Sequence, residues 1–157
     1  MEPIPSISVI IPTYRDDVAL SNLLGSLISL EISEIIISDA QPRSIPSFIL
    51  AQQNSLPITY IHASKGRGPQ IKKAISKSRS EYVWVLHADS EPNPNSIKAI
   101  HSILSDRKNS MGCFPIEFSS SSLLLRCFAF FSHIESLFST FGDQGFFFRK
   151  SDMPRQT

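Results

Sequence analysis

The chain is poor in cysteine: Cys113 and Cys127 are the only two in 157 residues. That is too few for a disulfide framework or a zinc cluster, so a reducing, cytoplasmic setting is expected. No run of about 20 consecutive apolar residues is present, the length a membrane-spanning helix needs. The opening Met1-Glu2-Pro3 lacks a basic stretch followed by an apolar one, so no secretory leader is expected. Net charge is almost absent, +1 from 15 basic and 14 acidic residues, which argues against a dedicated nucleic-acid binder. The six glycines form neither G-x-G-x-x-G nor the Walker spacing G-x-x-x-x-G-K-[ST], which excludes a dinucleotide fingerprint and a P-loop. Acids are also missing locally. Between Ala40 and Ser80 there are none, while Arg43, Lys65, Arg67, Lys72, Lys73, Lys77 and Arg79 all fall there, so this stretch is built to sit near an anion.

What is present suffices for a core. Hydrophobic residues make up 41% and charged residues 18%, with mean hydropathy near zero, as expected of one globular domain over residues 1–157. Four runs rich in Val and Ile (Ile7–Ile11, Glu34–Ser38, Ile58–His62 and Tyr82–Leu86) begin 27, 24 and 24 residues apart. Runs without polar alternation suit strands buried on both faces, and the spacing leaves room for a crossover helix between each pair. The expectation is an α/β fold: an open, mostly parallel sheet with helices on both faces.

The intervening segments agree. Leu20, Leu23, Leu24, Leu27 and Ile28 form one helical face, with Asp16 and Asp17 as cap candidates. A short crossover falls at Pro46–Gln53. Pro69 is placed to open a helix with Ile71, Ala74 and Ile75 inward and Lys72, Lys73 and Lys77 outward. Pro94–Leu104 reads as a further helix burying Ile97, Ile100, Ile103 and Leu104, and Met111–Phe118 as a strand. Leu123–Phe141 is an apolar helix with a thin stripe of Arg126, His133, Ser136 and Thr140. Two readings stay open for it: packing against the sheet, or lying at a membrane surface.

In open α/β sheets ligands bind outside the carboxyl ends of the strands. All four ends carry polar chemistry: Pro12 to Asp17, Asp39, His62 with Lys65-Gly66-Arg67-Gly68, and His87-Ala88-Asp89-Ser90-Glu91. Asp89 and Glu91, two apart after a buried strand, suit a hard divalent cation bridging a diphosphate. The Lys65 to Gly68 loop brings two cations and two glycines to a helix start, where free N–H groups attract phosphate oxygens. Together they point to a nucleoside diphosphate whose phosphate is a leaving group.

Ser8-Val9-Ile10-Ile11-Pro12-Thr13-Tyr14, Ile36-Ile37-Ser38-Asp39, His87-Ala88-Asp89 and Gly142-Asp143-Gln144-Gly145-Phe146-Phe147-Phe148-Arg149 together resemble family 2 glycosyltransferases of the GT-A fold. The pairing of Leu86-His87-Ala88-Asp89 with Gly142-Asp143-Gln144-Gly145 is similar, more narrowly, to the arsenosugar-biosynthesis or radical-SAM-associated group. The resemblance spans about Ser8 to Arg149 and implies sugar transfer from a nucleoside-diphosphate sugar, UDP-sugar favoured, to an unknown acceptor. It implies a nucleotide-sugar-binding half over residues 6–107 and a partial acceptor-side region over 108–157. It assigns Pro12, Tyr14 and Asp16 or Asp17 to the nucleoside pocket, Asp39 to the base, and Lys65, Arg67 and Gln70 to the diphosphate or sugar. Asp89 matches the last acid of the D-x-D metal motif, whose first acid is replaced by His87. A divalent cation, manganese or magnesium, is therefore implied, with Asp89 and either Glu91 or His87 as ligands. The other reading of His87 is a strand-end histidine bonded to backbone. Gly142, Asp143, Gln144 and Gly145 would line the acceptor side.

Family members continue into a segment whose carboxylate acts as general base of an inverting transfer. Here the sequence ends at Met153-Pro154-Arg155-Gln156-Thr157, so the expectation is a C-terminally truncated member, with Asp143 the sole candidate base. The alternatives are a non-catalytic nucleotide-sugar-binding remnant and a receiver-like signalling domain. Truncation further predicts exposure of Phe146, Phe147 and Phe148, and hence self-association or peripheral membrane contact through the C-terminal apolar region.

Overall fold

The computed structural model describes residues 6–109, 111–114 and 145–152. Its elements run β1 (Ile7–Thr13), α1 (Asp17–Leu27), β2 (Glu34–Asp39), α2 (Ser47–Gln52), β3 (Ile58–His62), α3 (Arg67–Lys77), β4 (Tyr82–Val85), α4 (Ser96–Ser105), β5 (Met111–Cys113) and β6 (Phe146–Arg149), closed by a 3-10 turn at Lys150–Asp152. The six strands form one mixed sheet in the order β3-β2-β1-β4-β6-β5. β1 pairs in parallel with β2 and β4, and β2 with β3, while β6 runs antiparallel to both β4 and β5. The α/β architecture with helices on both faces is thus the one read from the four apolar runs.

The pleat explains why those runs lack polar alternation. Ile7, Val9 and Ile11 of β1 face α1, α2 and α4 in a cluster with Leu20, Leu24, Ile49, Ile100 and Leu104. Ile10, Ile36, Val83 and Val85 point the other way, onto Ala74 of α3 and Phe148 of β6. Successive side chains therefore enter different cores, and every residue of β1 is buried. Among the described residues no helix is long and apolar enough to cross a membrane. The helix expected at Leu123–Phe141 and the strand residues expected beyond Phe114 lie outside the described residues.

Several local expectations are corrected. Asp16 occupies the N-cap of α1 without a side-chain capping bond, and the Asp17 carboxylate turns to Arg43 instead. Ile28 is half exposed, because the buried face closes with Leu27. α3 begins at Arg67, two residues before Pro69. α4 begins at Ser96, and Ile103 points outward while Ile97, Ile100 and Leu104 make the buried stripe. The expected exposure of the C-terminal phenylalanines is overturned: Phe147 and Phe148 are buried and Phe146 half-buried, because β6 pairs with β4 and its alternate rings enter the two cores.

Two predictions arise here. Gly112 of β5 lies directly opposite Phe147, and a Cβ there would sit 2.5 and 2.7 Å from carbons of a ring with no solvent access. Trp84 and Phe114 hold neighbouring sides of that aromatic cluster, with Phe114 5.1 Å from Phe147 and Trp84 5.7 Å from Phe114 between centroids. Gly112→Ala should therefore cost about 1–3 kcal/mol by overpacking, read as a lowered thermal midpoint; an unchanged midpoint would show that the edge strand simply moves away.

His101 of α4 packs 5.8 Å from the Tyr82 ring, and its buried Nδ1 has no partner among the described residues. Burial pushes its pKa below the ordinary 6.5, against the weaker opposing pull of Glu31. The unfolded chain takes up this proton at higher pH than the fold does, so the stability is fully present above pH 6.5 and is lost as pH falls through the lowered folded value. The urea midpoint should decline from pH 7 to pH 5, and less steeply in His101→Phe. Equal slopes would assign the decline to other groups.

Candidate functional site

The chain builds outward from β1 to β2 and β3 with α1 and α2 on one face. It then returns through α3 on the other face to lay β4 against the far side of β1. At such a reversal the loops diverge and leave a cleft at the carboxyl ends of the strands. The β1 end contributes residues 13 to 17, the β2 end residues 39 to 43, the loop before α3 residues 62 to 66, and the β4 end residues 87 to 91.

On the α1 and α2 side one cation ties two carboxylates. Asp39 has no solvent access; its Oδ1 accepts the Gln41 backbone N–H at 2.7 Å, and its Oδ2 accepts Arg43 Nε at 3.0 Å and the Tyr60 hydroxyl at 2.7 Å. Arg43 reaches on to Asp17 in a fork, Nη1 to Oδ2 at 2.7 Å and Nη2 to Oδ1 at 2.5 Å. Hydrogen bonding from Arg43 holds the Asp17 carboxyl below its usual range, and Asp17 in turn raises the Arg43 pKa further. Burial, with the Asp39 hydrogen bond second, pushes the Tyr60 phenol up to about 12. Asp17 and Asp39 thus sit at the cleft, with carboxylates already engaged by the protein. Arg43 and Tyr60 were not singled out for the site. The signals for them were a lone arginine four residues after Asp39 and a tyrosine on the face of β3 that adjoins it.

The other rim is cationic. Gly66 has φ +127, in the region that favours glycine, and turns the chain into α3. There Arg67 Nη2 lies 3.0 Å from His87 Nδ1. A guanidinium only donates, so in this contact Nδ1 is the acceptor. The His87 backbone N–H donates to Ser90 Oγ at 3.0 Å, and the Ser90 N–H returns to the His87 carbonyl at 3.1 Å. That turn lifts Asp89 and Glu91 into solvent, and among the described residues neither carboxylate is paired. Lys65 Nζ stands 4.7 Å from the centroid of the Tyr14 ring, and Arg15 Cζ 5.2 Å from it. Arg15 is the one non-glycine residue with positive φ, +57, among those described. Pro12 is buried beneath this loop and Asp16 is exposed at its end.

Gln70 is placed differently from expectation. On the buried face of α3, its Nε2 donates to the Thr13 carbonyl at 2.6 Å and the Ser38 carbonyl at 2.7 Å. Both amide hydrogens are committed to tying the ends of β1 and β2 together. Gly145 packs beside Leu86 and Trp84, where a Cβ would come within 3.1 Å, so the end of the Gly142 to Gly145 segment adjoins β4. Gly142, Asp143 and Gln144 lie outside the described residues. A separate cavity of about 500 Å³, lined by Ser6, Ser33, Glu34, Arg79 and Ser80 among others, opens at the opposite end of the sheet and shares none of these residues.

No three metal-ligating side chains cluster among the described residues. The donor set still fits a magnesium- or manganese-type ion, which is commonly held by one or two carboxylates with substrate phosphates and water supplying the remaining positions. Asp89 offers one such carboxylate at the strand end, and Glu91 lies two residues on.

Residues 8–147 match the family model described as Glycosyl transferase family 2. Solved structures share the fold. TarS 1-349 of S. aureus in complex with UDP-GlcNAc has a TM-score of 0.63 and 16% identity over 75% of this chain and 36% of its own. The mannosyltransferase PcManGT of Pyrobaculum calidifontis, with GDP-Man and Mn2+, has a TM-score of 0.63 and 18% identity over 73% of this chain and 37% of its own. Glucosyl-3-phosphoglycerate synthase of Mycobacterium tuberculosis with UDP has a TM-score of 0.60 and 11% identity over 94% and 57%. The chain therefore spans less than two thirds of the length of each of these structures. No curated protein matches it in sequence.

Proposed function

The chain belongs to glycosyl transferase family 2, and from that premise we propose that it binds a nucleoside-diphosphate sugar in the cleft between β1 and β4 and transfers the sugar to an acceptor hydroxyl. One observation carries the reading: the switch-point cleft sets the guanidinium of Arg67, at the start of α3, beside the β4 turn that presents the exposed carboxylate of Asp89. A cation and an exposed carboxylate at one strand end are the parts a diphosphate and its counter-ion require.

In the transfer, the bond from the anomeric carbon to the diphosphate oxygen breaks as the acceptor oxygen attacks. Arg67 and Lys65 receive the negative charge that accumulates on the leaving diphosphate. Tyr14, 36% exposed, offers a ring face at the β1 end for the nucleoside. A divalent cation on Asp89, when bound, supplies further charge neutralisation. Inversion requires a carboxylate to take the acceptor's proton, and Asp143 is our candidate for it. UDP is the favoured nucleotide, and the narrower likeness to the arsenosugar-biosynthesis group rests on the segments containing His87 and Asp143.

Calorimetric titration of UDP into the chain, with and without manganese, tests the binding step. Manganese-strengthened binding is expected; no binding of either UDP or GDP sinks the reading. A transfer assay on Asp143→Asn then separates catalysis from binding alone, since the variant should bind the nucleotide and fail to turn over.

A further inference from the structure

We propose that His87 is a positioning residue for Arg67 and takes no part in holding a cation, although it occupies the place of the first carboxylate in the D-x-D pattern. The inference rests on the functional reading above and assigns one residue within that site. Its basis is the direction of one hydrogen bond. A histidine that ligates a metal through one ring nitrogen donates the N–H of the other to a carboxylate, a carbonyl or water. The group facing His87 Nδ1 at 3.0 Å is the guanidinium of Arg67, which has no acceptor. Ligation through Nε2 would put a proton on Nδ1, pointed at five N–H donors; ligation through Nδ1 would evict Arg67. Either use breaks the pair.

The surroundings fit a holder. His87 is nearly buried, and its main chain is pinned in the turn to Ser90 by two hydrogen bonds. Arg67 is exposed at the first position of α3, preceded by Gly66 at positive φ and followed by Gly68. A long side chain on so permissive a backbone has many rotamers to lose when it meets an anion. Anchoring one nitrogen to a fixed imidazole removes part of that loss beforehand and holds the guanidinium near the carboxyl end of β4, where the diphosphate is proposed to bind.

Nitrogen NMR of the ligand-free chain tests the pair directly. The His87 ring is expected as the Nε2–H tautomer, with an Nδ1 resonance that moves in Arg67→Ala and does not move when magnesium is added. An Nδ1 that bears the proton, or one that responds to magnesium, overturns the assignment. Titration of UDP in the presence of a chelator tests the consequence. Arg67→Ala should weaken binding about tenfold, the size of one charge-assisted hydrogen bond to phosphate. His87→Ala should weaken it severalfold, the double variant no more than Arg67→Ala alone, and His87→Asn, whose Oδ1 can accept from the guanidinium, should restore much of the loss. A His87→Ala effect seen only with manganese, or one additive with Arg67→Ala, overturns the proposal. If the unaltered chain binds neither UDP nor GDP, the functional reading has failed. Inorganic diphosphate titrated into the same variants then decides the role of Arg67, and equal affinities across them count against it.

Discussion

Arg43→Ala should lower stability by about 3–5 kcal/mol, the cost of removing one partner from a buried ion pair, measured as a drop in the urea midpoint at constant slope. Asp39 has no solvent access, and Arg43 is its one cationic partner among the described residues. Alanine leaves a buried carboxylate with the Tyr60 hydroxyl and one backbone N–H, which are hydrogen-bond donors without charge. Asp17→Ala is the contrast. Its side chain is 45% exposed, and removing it leaves Arg43 on Asp39, so the loss should stay within about 1 kcal/mol. The acid limb follows from the same geometry. The Asp17 carboxyl lies below its ordinary 3.8 in the fold, so the stabilisation is present above that pH and disappears as pH falls through the lowered folded value. Adding Asp39→Asn to Arg43→Ala should recover part of the loss, because the charge that lacked a partner is gone. Equal midpoints for Arg43→Ala and the unaltered chain would mean that Asp39 does not depend on Arg43 in the fold.

How much of this was legible in the sequence depends on the range of the interaction involved. The four parallel strands were readable because burial on both faces forces continuous apolar runs, and Ile7–Ile11 differs from the observed β1 only by omitting Pro12 and Thr13 at its polar end. The cleft was readable for a topological reason: wherever four such strands run parallel, their polar ends gather at one edge. Who pairs with whom at that edge was not readable. Arg43 joins Asp17 across 26 residues, and Arg67 meets His87 across 20, at separations set by how far α1 and α3 carry the chain around the sheet. Gln70 reads as a polar residue near a phosphate loop. Its helical phase alone, in the 70, 74 and 78 stripe, signals that it is buried against the sheet. β6 was misjudged because its burial comes from an antiparallel return beside β4, a partner far away in sequence.

Asp89→Ala separates the cation from the guanidinium. Manganese should strengthen UDP binding to the unaltered chain, and that increment should vanish in the variant while affinity in chelator persists, because Arg67 and Lys65 remain. Turnover should fall by about 10²-fold or more, the factor that several kcal/mol of lost charge stabilisation gives. Asp89 is exposed and unpaired among the described residues, so the thermal midpoint should move by no more than about 0.5 kcal/mol equivalent. The catalytic loss can then be read without a folding correction. Glu91→Ala completes the argument. If both carboxylates hold the ion, each single variant should remove most of the manganese increment; if Asp89 holds it with phosphate oxygens and water, Glu91→Ala should leave the increment intact. The second outcome is the one expected. Residues 87 to 90 form a closed turn that fixes Asp89 from within, whereas Glu91 follows the turn and, among the described residues, no hydrogen bond holds its side chain. A manganese increment that survives Asp89→Ala would show that the ion is held without the strand-end carboxylate.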